Sequence, residues 1–160
     1  MKNNFRNNLP LINLYKRKSL KSKIDTQLLY GDNFEIKQKL GVFSKIKIKK
    51  DGYIGYIKNK NFSNPIKPNF KVSVLKARIY KKPTIKGKIN KFLPFESRIK
   101  VIKKYGKFCK FDEYFVKTSD IVNTNSKNKN IFKDIKIFKN IKYLWGGKSY
   151  KGIDCSALVQ

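Results

Sequence analysis

The sequence predicts a mainly β protein: two small closed barrels in tandem, with the beginning of a third unit behind them. Three observations carry that prediction. Residues 14–46 align without a gap on 79–111, and ten of the 33 positions are identical. Within each copy, short stretches alternate apolar and polar residues, the pattern of half-buried strands. Gly-containing pairs then punctuate those stretches at hairpin spacing.

The self-alignment is informative because of its apolar matches, since lysine matches are cheap in a Lys-rich chain. Tyr15 falls on Tyr80, Ile24 on Ile89, Leu28 on Leu93, Gly41 on Gly106 and Phe43 on Phe108. Leu14/Ile79, Leu20/Ile85, Tyr30/Phe95, Phe34/Ile99 and Ile36/Val101 are conservative pairs in the same register. A fixed internal register of this kind marks a duplicated module.

The first module is expected over residues 1–60. "FEIKQKL" and "FSKIKIKK" alternate as strands, and Asp51-Gly52 makes a hairpin turn before "YIGYIKNKNF". Residues 61–70, with two prolines among polar residues, read as a linker, and the second module follows over 71–122 with "RIKVIKKY" as its clearest strand. Small modules of this size with about five strands favour closure into a barrel, which removes exposed edges. Residues 123–140 read as a connecting loop and short helix, with Ile131, Phe132, Ile135 and Phe138 near helical spacing. A third unit is expected from 141 to 160.

Composition narrows the partners. The formal charge is +29, but the basic residues are Lys except for Arg6, Arg17, Arg78 and Arg98, and they accompany many Asn and Ile. That joint enrichment is what an AT-rich genome imposes on solvated surface. Arginine, the residue that clamps phosphates and reads bases bidentately, is scarce, so a nucleic-acid partner is not expected. Cys109 lies in an alternating aromatic run and reads as a buried strand position. Two cysteines in dissimilar settings make no disulfide framework, so a reducing compartment fits. The N-terminal segment has no signal-peptide apolar run, and no stretch has the length of a membrane span. The expectation is a soluble cytoplasmic protein that engages no membrane.

The chemistry is concentrated in "YLWGGKSYKGIDCSALVQ", residues 143–160. Gly152 ends a turn, Asp154 or Ser156 can cap a helix, and Ala157, Leu158 and Val159 can begin one with a buried face. Cys155 then stands at a helix N-terminus, where unpaired amides favour a thiolate. Two readings fit this pattern alone: a nucleophile, or a small core cysteine at an ordinary helix start. Trp145-Gly146-Gly147 is expected to form a tight loop packed under the indole, holding Tyr143 near the cysteine.

This stretch resembles the nucleophile motif of the NlpC-type murein peptidases, which are papain-like cysteine peptidases. Their usual form is Tyr-x-Trp-Gly-Gly, a short spacer with Gly, then Asp-Cys-Ser-Gly and an apolar helix; Ala157 replaces the last Gly. "DTQLLYGDNF" and "DGYIGYI" resemble the first of two bacterial SH3-like domains that precede the catalytic domain in one branch. The resemblance implies two SH3-like barrels followed by the start of an α+β papain-like domain. It makes Cys155 the nucleophile and places the Tyr143 hydroxyl where the oxyanion develops. Asp154 and Ser156, with Tyr53 or Tyr56 of the first barrel, would hold the free amino group of the substrate's L-Ala. The implied reaction is hydrolysis of the γ-D-glutamyl–diaminopimelate bond in murein peptides, with no metal and no cofactor.

The family's base is a histidine, and this sequence contains none. The 160 residues alone are therefore expected to be inactive. An intact motif followed by an abrupt end favours a fragment of a longer enzyme over a decayed relative. The competing reading is a tandem SH3-like module that binds wall peptide or protein without catalysis.

Overall fold

The computed structural model describes residues 3–126 and 135–159. It is mainly β, and the first unit is an SH3-like barrel. Six antiparallel strands build this barrel: β1 (Asn4–Arg6), β2 (Leu11–Tyr15), β3 (Ile24–Leu29), β4 (Asn33–Leu40), β5 (Phe43–Ile48) and β6 (Ile54–Lys58), in the order β1-β4-β5-β6-β2-β3. Alternation sends Leu14, Leu28, Phe34, Ile46, Ile48 and Ile57 into one core. Phe62, beyond the last strand, closes that core with its ring edge-on to Phe34, 5.0 Å between centroids.

The second barrel is built from β7 (Phe70–Val72), β8 (Lys76–Tyr80), β9 (Lys88–Pro94), β10 (Arg98–Ile99), β11 (Val101–Tyr105), β12 (Phe108–Phe111), β13 (Tyr114–Lys117) and β14 (Ile121–Asn123). The duplication is visible strand by strand. In the register that sets Leu14 on Ile79, β2 falls on β8, β4 on β10 plus β11, and β5 on β12. Leu14, Leu28 and Phe34 are buried, and so are their counterparts Ile79, Leu93 and Ile99. The long β4 is divided in the second copy at Lys100, so β10 pairs with β7 while β11 pairs with β12. Cys109 is fully buried on β12, with its thiol 3.4 Å from the Thr118 hydroxyl.

The segment read as a linker is partly absorbed by the barrels. Arg6 and Ser63 exchange backbone hydrogen bonds on one side, while Asn69 donates to Ile99 and Phe70 opens β7 on the other. Residues 64–68 run between them. Helical residues 135–137 precede the third unit, which consists of a hairpin of β15 (Lys148–Ser149) and β16 (Gly152–Ile153) and helix α1 (Cys155–Val159). Ile131 and Phe132, assigned to a short helix from their spacing, lie outside the described residues. Phe138, from the same pattern, packs edge-on against Phe95 of the second barrel at 5.5 Å. Among the described residues, no helix is long and apolar enough to cross a membrane.

The two barrels are joined through the tip between β3 and β4. Tyr30 leaves its own barrel and enters the core of the second, where it meets Phe111 edge-on at 5.7 Å. Its hydroxyl donates to the Asp112 carboxylate, which also pairs with the buried Arg6 guanidinium at 3.0 Å. Arg6 in turn lies over the Tyr30 ring, 5.6 Å from its centroid. The Arg98 amide donates to the Tyr30 carbonyl at 2.9 Å, so backbone closes what the side chains begin. Gly31, at φ +90°, lies where a Cβ would run into the Arg98 carbonyl.

Gly31→Ala meets both a backbone conformation that L-residues avoid and an immovable carbonyl, and should cost more than about 2 kcal/mol. Gly41→Ala, at φ +67° with open space around it, should cost only about 1 kcal/mol in the same urea titration. Burial, and then the hydrogen bond to Asp112, push the Tyr30 phenol well above its ordinary value of 10.0. The unfolded chain therefore loses this proton first. The stabilisation is full below pH 10 and declines as pH rises beyond it. Urea midpoints measured between about pH 9 and 11 should fall, and Tyr30→Phe should flatten that fall.

Candidate functional site

The third unit is organised by Asp154. Its carboxylate accepts from the Gly146 amide at 2.9 Å, the Ala157 amide at 2.7 Å and the Ser156 hydroxyl at 2.8 Å. The Ala157 bond is a helix N-cap, satisfying an amide with no partner inside the helix. The Gly146 bond ties the Trp-Gly-Gly turn to the same carboxylate. Of the two capping residues the sequence offered, Asp154 does the work and Ser156 hydrogen-bonds to it. Cys155 follows as the first helical residue, with its thiol exposed.

Tyr143 bridges Ile153 in parallel fashion, with Leu144 donating to the Ile153 carbonyl and Ile153 to that of Lys142. This sets Tyr143 alongside the strand that leads into Cys155. The expectation about the indole needs correction. Trp145 is 68% exposed rather than packed over its own turn. It faces Ser22, Lys23 and Ile24 of the first barrel across an open cavity of about 420 Å³. The turn packs by its backbone instead: Gly146, at φ +69°, lies so close to the Ile24 carbonyl that a Cβ there would come within 2.8 Å. The helix's apolar residues Leu158 and Val159 are exposed.

The two tyrosines proposed from the first barrel fall in different places. Tyr53 packs against the barrel core and lies 5.7 Å below the ammonium of Lys148, so it faces the third unit. Tyr56 stands on β6 between Tyr15 and Lys45, on the outer side of the barrel sheet. Nothing in the sequence singles out Lys148, which the structure places at the contact between the third unit and the first barrel. Its ammonium pairs with Asp51 at 2.8 Å and its amide donates to the Gln27 side chain at 2.9 Å. One lysine among 39 basic residues carries no signal of its own.

The three units meet around a second cavity of about 420 Å³. The first barrel lines it with Leu29 and Lys50, the second with Phe95 and Arg98, and the third with Ile153 and Leu158. Chemically, the arrangement presents an accessible thiol on a capped helix turn, flanked by a carboxylate and a hydroxyl, beside a barrel that offers a phenol. It contains no imidazole.

Comparison with known proteins agrees with this architecture. Residues 14–62 match the profile of the bacterial dipeptidyl-peptidase Sh3 domain. The first barrel is thus similar to that domain over most of its length, and a second barrel and a cysteine-bearing turn follow it. The chain shares its fold with an NlpC/P60 family protein from Bacillus cereus ATCC 10987, at a TM-score of 0.80 and 15% identity, over 97% of this chain and 70% of that one. NlpC2 and NlpC1 from Trichomonas vaginalis align at 17% and 18% identity over 98% and 100% of this chain, with TM-scores of 0.33 and 0.35. The chain spans 63% and 62% of those two proteins. No curated protein matches.

The contrast between the two thiols is directly measurable. Native protein should react with one equivalent of a chromogenic disulfide reagent, at Cys155, and a second thiol should appear only on unfolding. Cys155→Ala should remove the fast equivalent.

Proposed function

We propose that this chain is the substrate-shaping and nucleophile-bearing part of a cysteine peptidase that cuts murein peptides at the γ-D-glutamyl–diaminopimelate bond. The observation that carries the proposal is Cys155, exposed on the first turn of a helix whose cap, Asp154, also fixes the Gly146 turn. That dual bond ties the backbone of the helix's first turn to the Trp-Gly-Gly turn that follows Tyr143. The sulfur attacks the γ-glutamyl carbonyl, the carbon–sulfur bond forms, and the diaminopimelate amine leaves with a proton. Water then hydrolyses the thioester and frees the thiol. Tyr143 donates its hydroxyl to the oxyanion. The base that takes the thiol proton and returns it to the amine must come from outside these 160 residues, which contain no histidine.

Both barrels border the cavity beside the cysteine helix, which supports a role in limiting substrate length. Tyr53, facing the third unit, is the barrel residue we assign to the substrate's amino end, and Asp154 and Ser156 complete that pocket. The missing histidine is the one observation favouring a second reading, in which the barrels bind wall peptide without cutting it.

The test is cleavage of L-Ala-γ-D-Glu-diaminopimelate by the protein expressed from its complete reading frame, followed by mass spectrometry. Release of diaminopimelate should be abolished by Cys155→Ala and slowed about a hundredfold or more by Tyr143→Phe. Binding of the peptide with no cleavage would establish the second reading, and cleavage that survives Cys155→Ala would overturn the first.

A further inference from the structure

Lys148 is the point at which the cysteine-bearing unit grips the first barrel. Its ammonium and the Asp51 carboxylate lie 2.8 Å apart, with side chains only 10% and 11% exposed. Desolvating an ion pair this far is costly unless the geometry is held and the remaining bonds are made. Here they are. The Lys148 amide donates to Gln27, whose own side-chain amide donates to Asn13. The second Asp51 oxygen accepts from the Tyr53 amide at 3.3 Å, and the Tyr53 ring lies under the ammonium. Asp32, a further buried acid of this barrel, has its carboxyl pushed up by burial, against the hydrogen bond it accepts from the Leu29 amide and the weaker pull of Lys50 and Lys148. The first barrel thus presents an acidic and aromatic socket, and Lys148 fills it.

The same residue begins β15, whose partner strand β16 leads directly into Asp154 and Cys155. Between Lys148 and Cys155 the chain is a two-strand hairpin closed at its base by the Asp154–Gly147 backbone bond. Movement of Lys148 out of the socket therefore carries the cysteine with it and leaves Tyr53 behind.

We propose that Lys148 is a positioning residue that sets how far Cys155 stands from the first barrel, Tyr53 included, by locking the third unit into the socket of Asp51, Gln27 and Tyr53. This rests on the reading of Cys155 as the nucleophile, and two readouts separate the fate of each. The first needs no activity: amide hydrogen exchange on the 160-residue chain. Lys148→Met should speed exchange at least tenfold across 144–157 and at 51–54, while the Leu28 and Ile46 amides in the barrel core stay protected. Uniform loosening of the barrel, or no change in either segment, would overturn the clasp.

The second readout is the kinetics of the complete protein on L-Ala-γ-D-Glu-diaminopimelate. Lys148→Met should raise KM about tenfold or more with kcat changed less than about threefold, because the barrel side of the site is lost and the chemistry is not. Lys148→Arg should restore most of the affinity. The swap Lys148→Asp with Asp51→Lys should recover more than either single change predicts. A fall in kcat alone, or a Lys148→Arg variant as impaired as Lys148→Met, would overturn the positioning role. If exchange shows the clasp and the complete protein cleaves nothing, the enzymatic reading fails, and so does the positioning role built on it.

Discussion

The arrangement of the whole chain depends on one tyrosine that does not stay in its own barrel. Tyr30 sits at the tip between β3 and β4 and contributes its ring to the core of the second barrel, among Ile99, Phe111 and Val116. The polar end of the ring cannot be left bare in that setting, and the Asp112 carboxylate accepts its hydrogen bond. Arg6 then balances Asp112, and Asn7 beside it bonds the Leu28 and Leu29 carbonyls at the base of the tip. Each of these contacts makes sense only if the others are present. Removing Asp112 would strand a buried guanidinium, a loss on the order of 3–5 kcal/mol.

The duplication gives this joint a counterpart. In the register of the repeat, Tyr30-Gly31-Asp32 corresponds to Phe95-Glu96-Ser97. The second tip also takes a positive φ, at Glu96, and it too reaches forward, with Phe95 against Phe138 ahead of the third unit. Each barrel therefore offers the same loop to the unit that follows it. The first barrel makes a further contact that the second does not reproduce, the Lys148 socket. Tyr150 packing on Phe92 secures the other side of the hairpin. The cysteine turn is held by both barrels at once.

Local features were legible in the sequence, and long-range ones were not. Leu28/Leu93 and Phe34/Ile99 could be read as core because alternation and the internal register agree at those positions. The Asp154 cap could be read because its bond spans only three residues. Tyr30 paired with Phe95 in the alignment as if both served their own barrels, and no periodicity marks a side chain that crosses into a neighbour. Lys148 and Asp51 are 97 positions apart in a chain where lysine is everywhere. The Trp-Gly-Gly turn suggests a loop packed under its own indole, but Trp145 is exposed. Because glycine follows it, the backbone makes the contact with Ile24 and the indole is left at the rim.

That position gives the indole a use. Trp145 is the only tryptophan in the chain, and neither barrel contains one. It lies on the seam between the cysteine-bearing unit and the first barrel, beside Lys23 and Ile24. Its fluorescence is therefore a built-in optical gauge of that seam: engagement of the third unit registers directly, while melting of either barrel registers only through its effect on that contact.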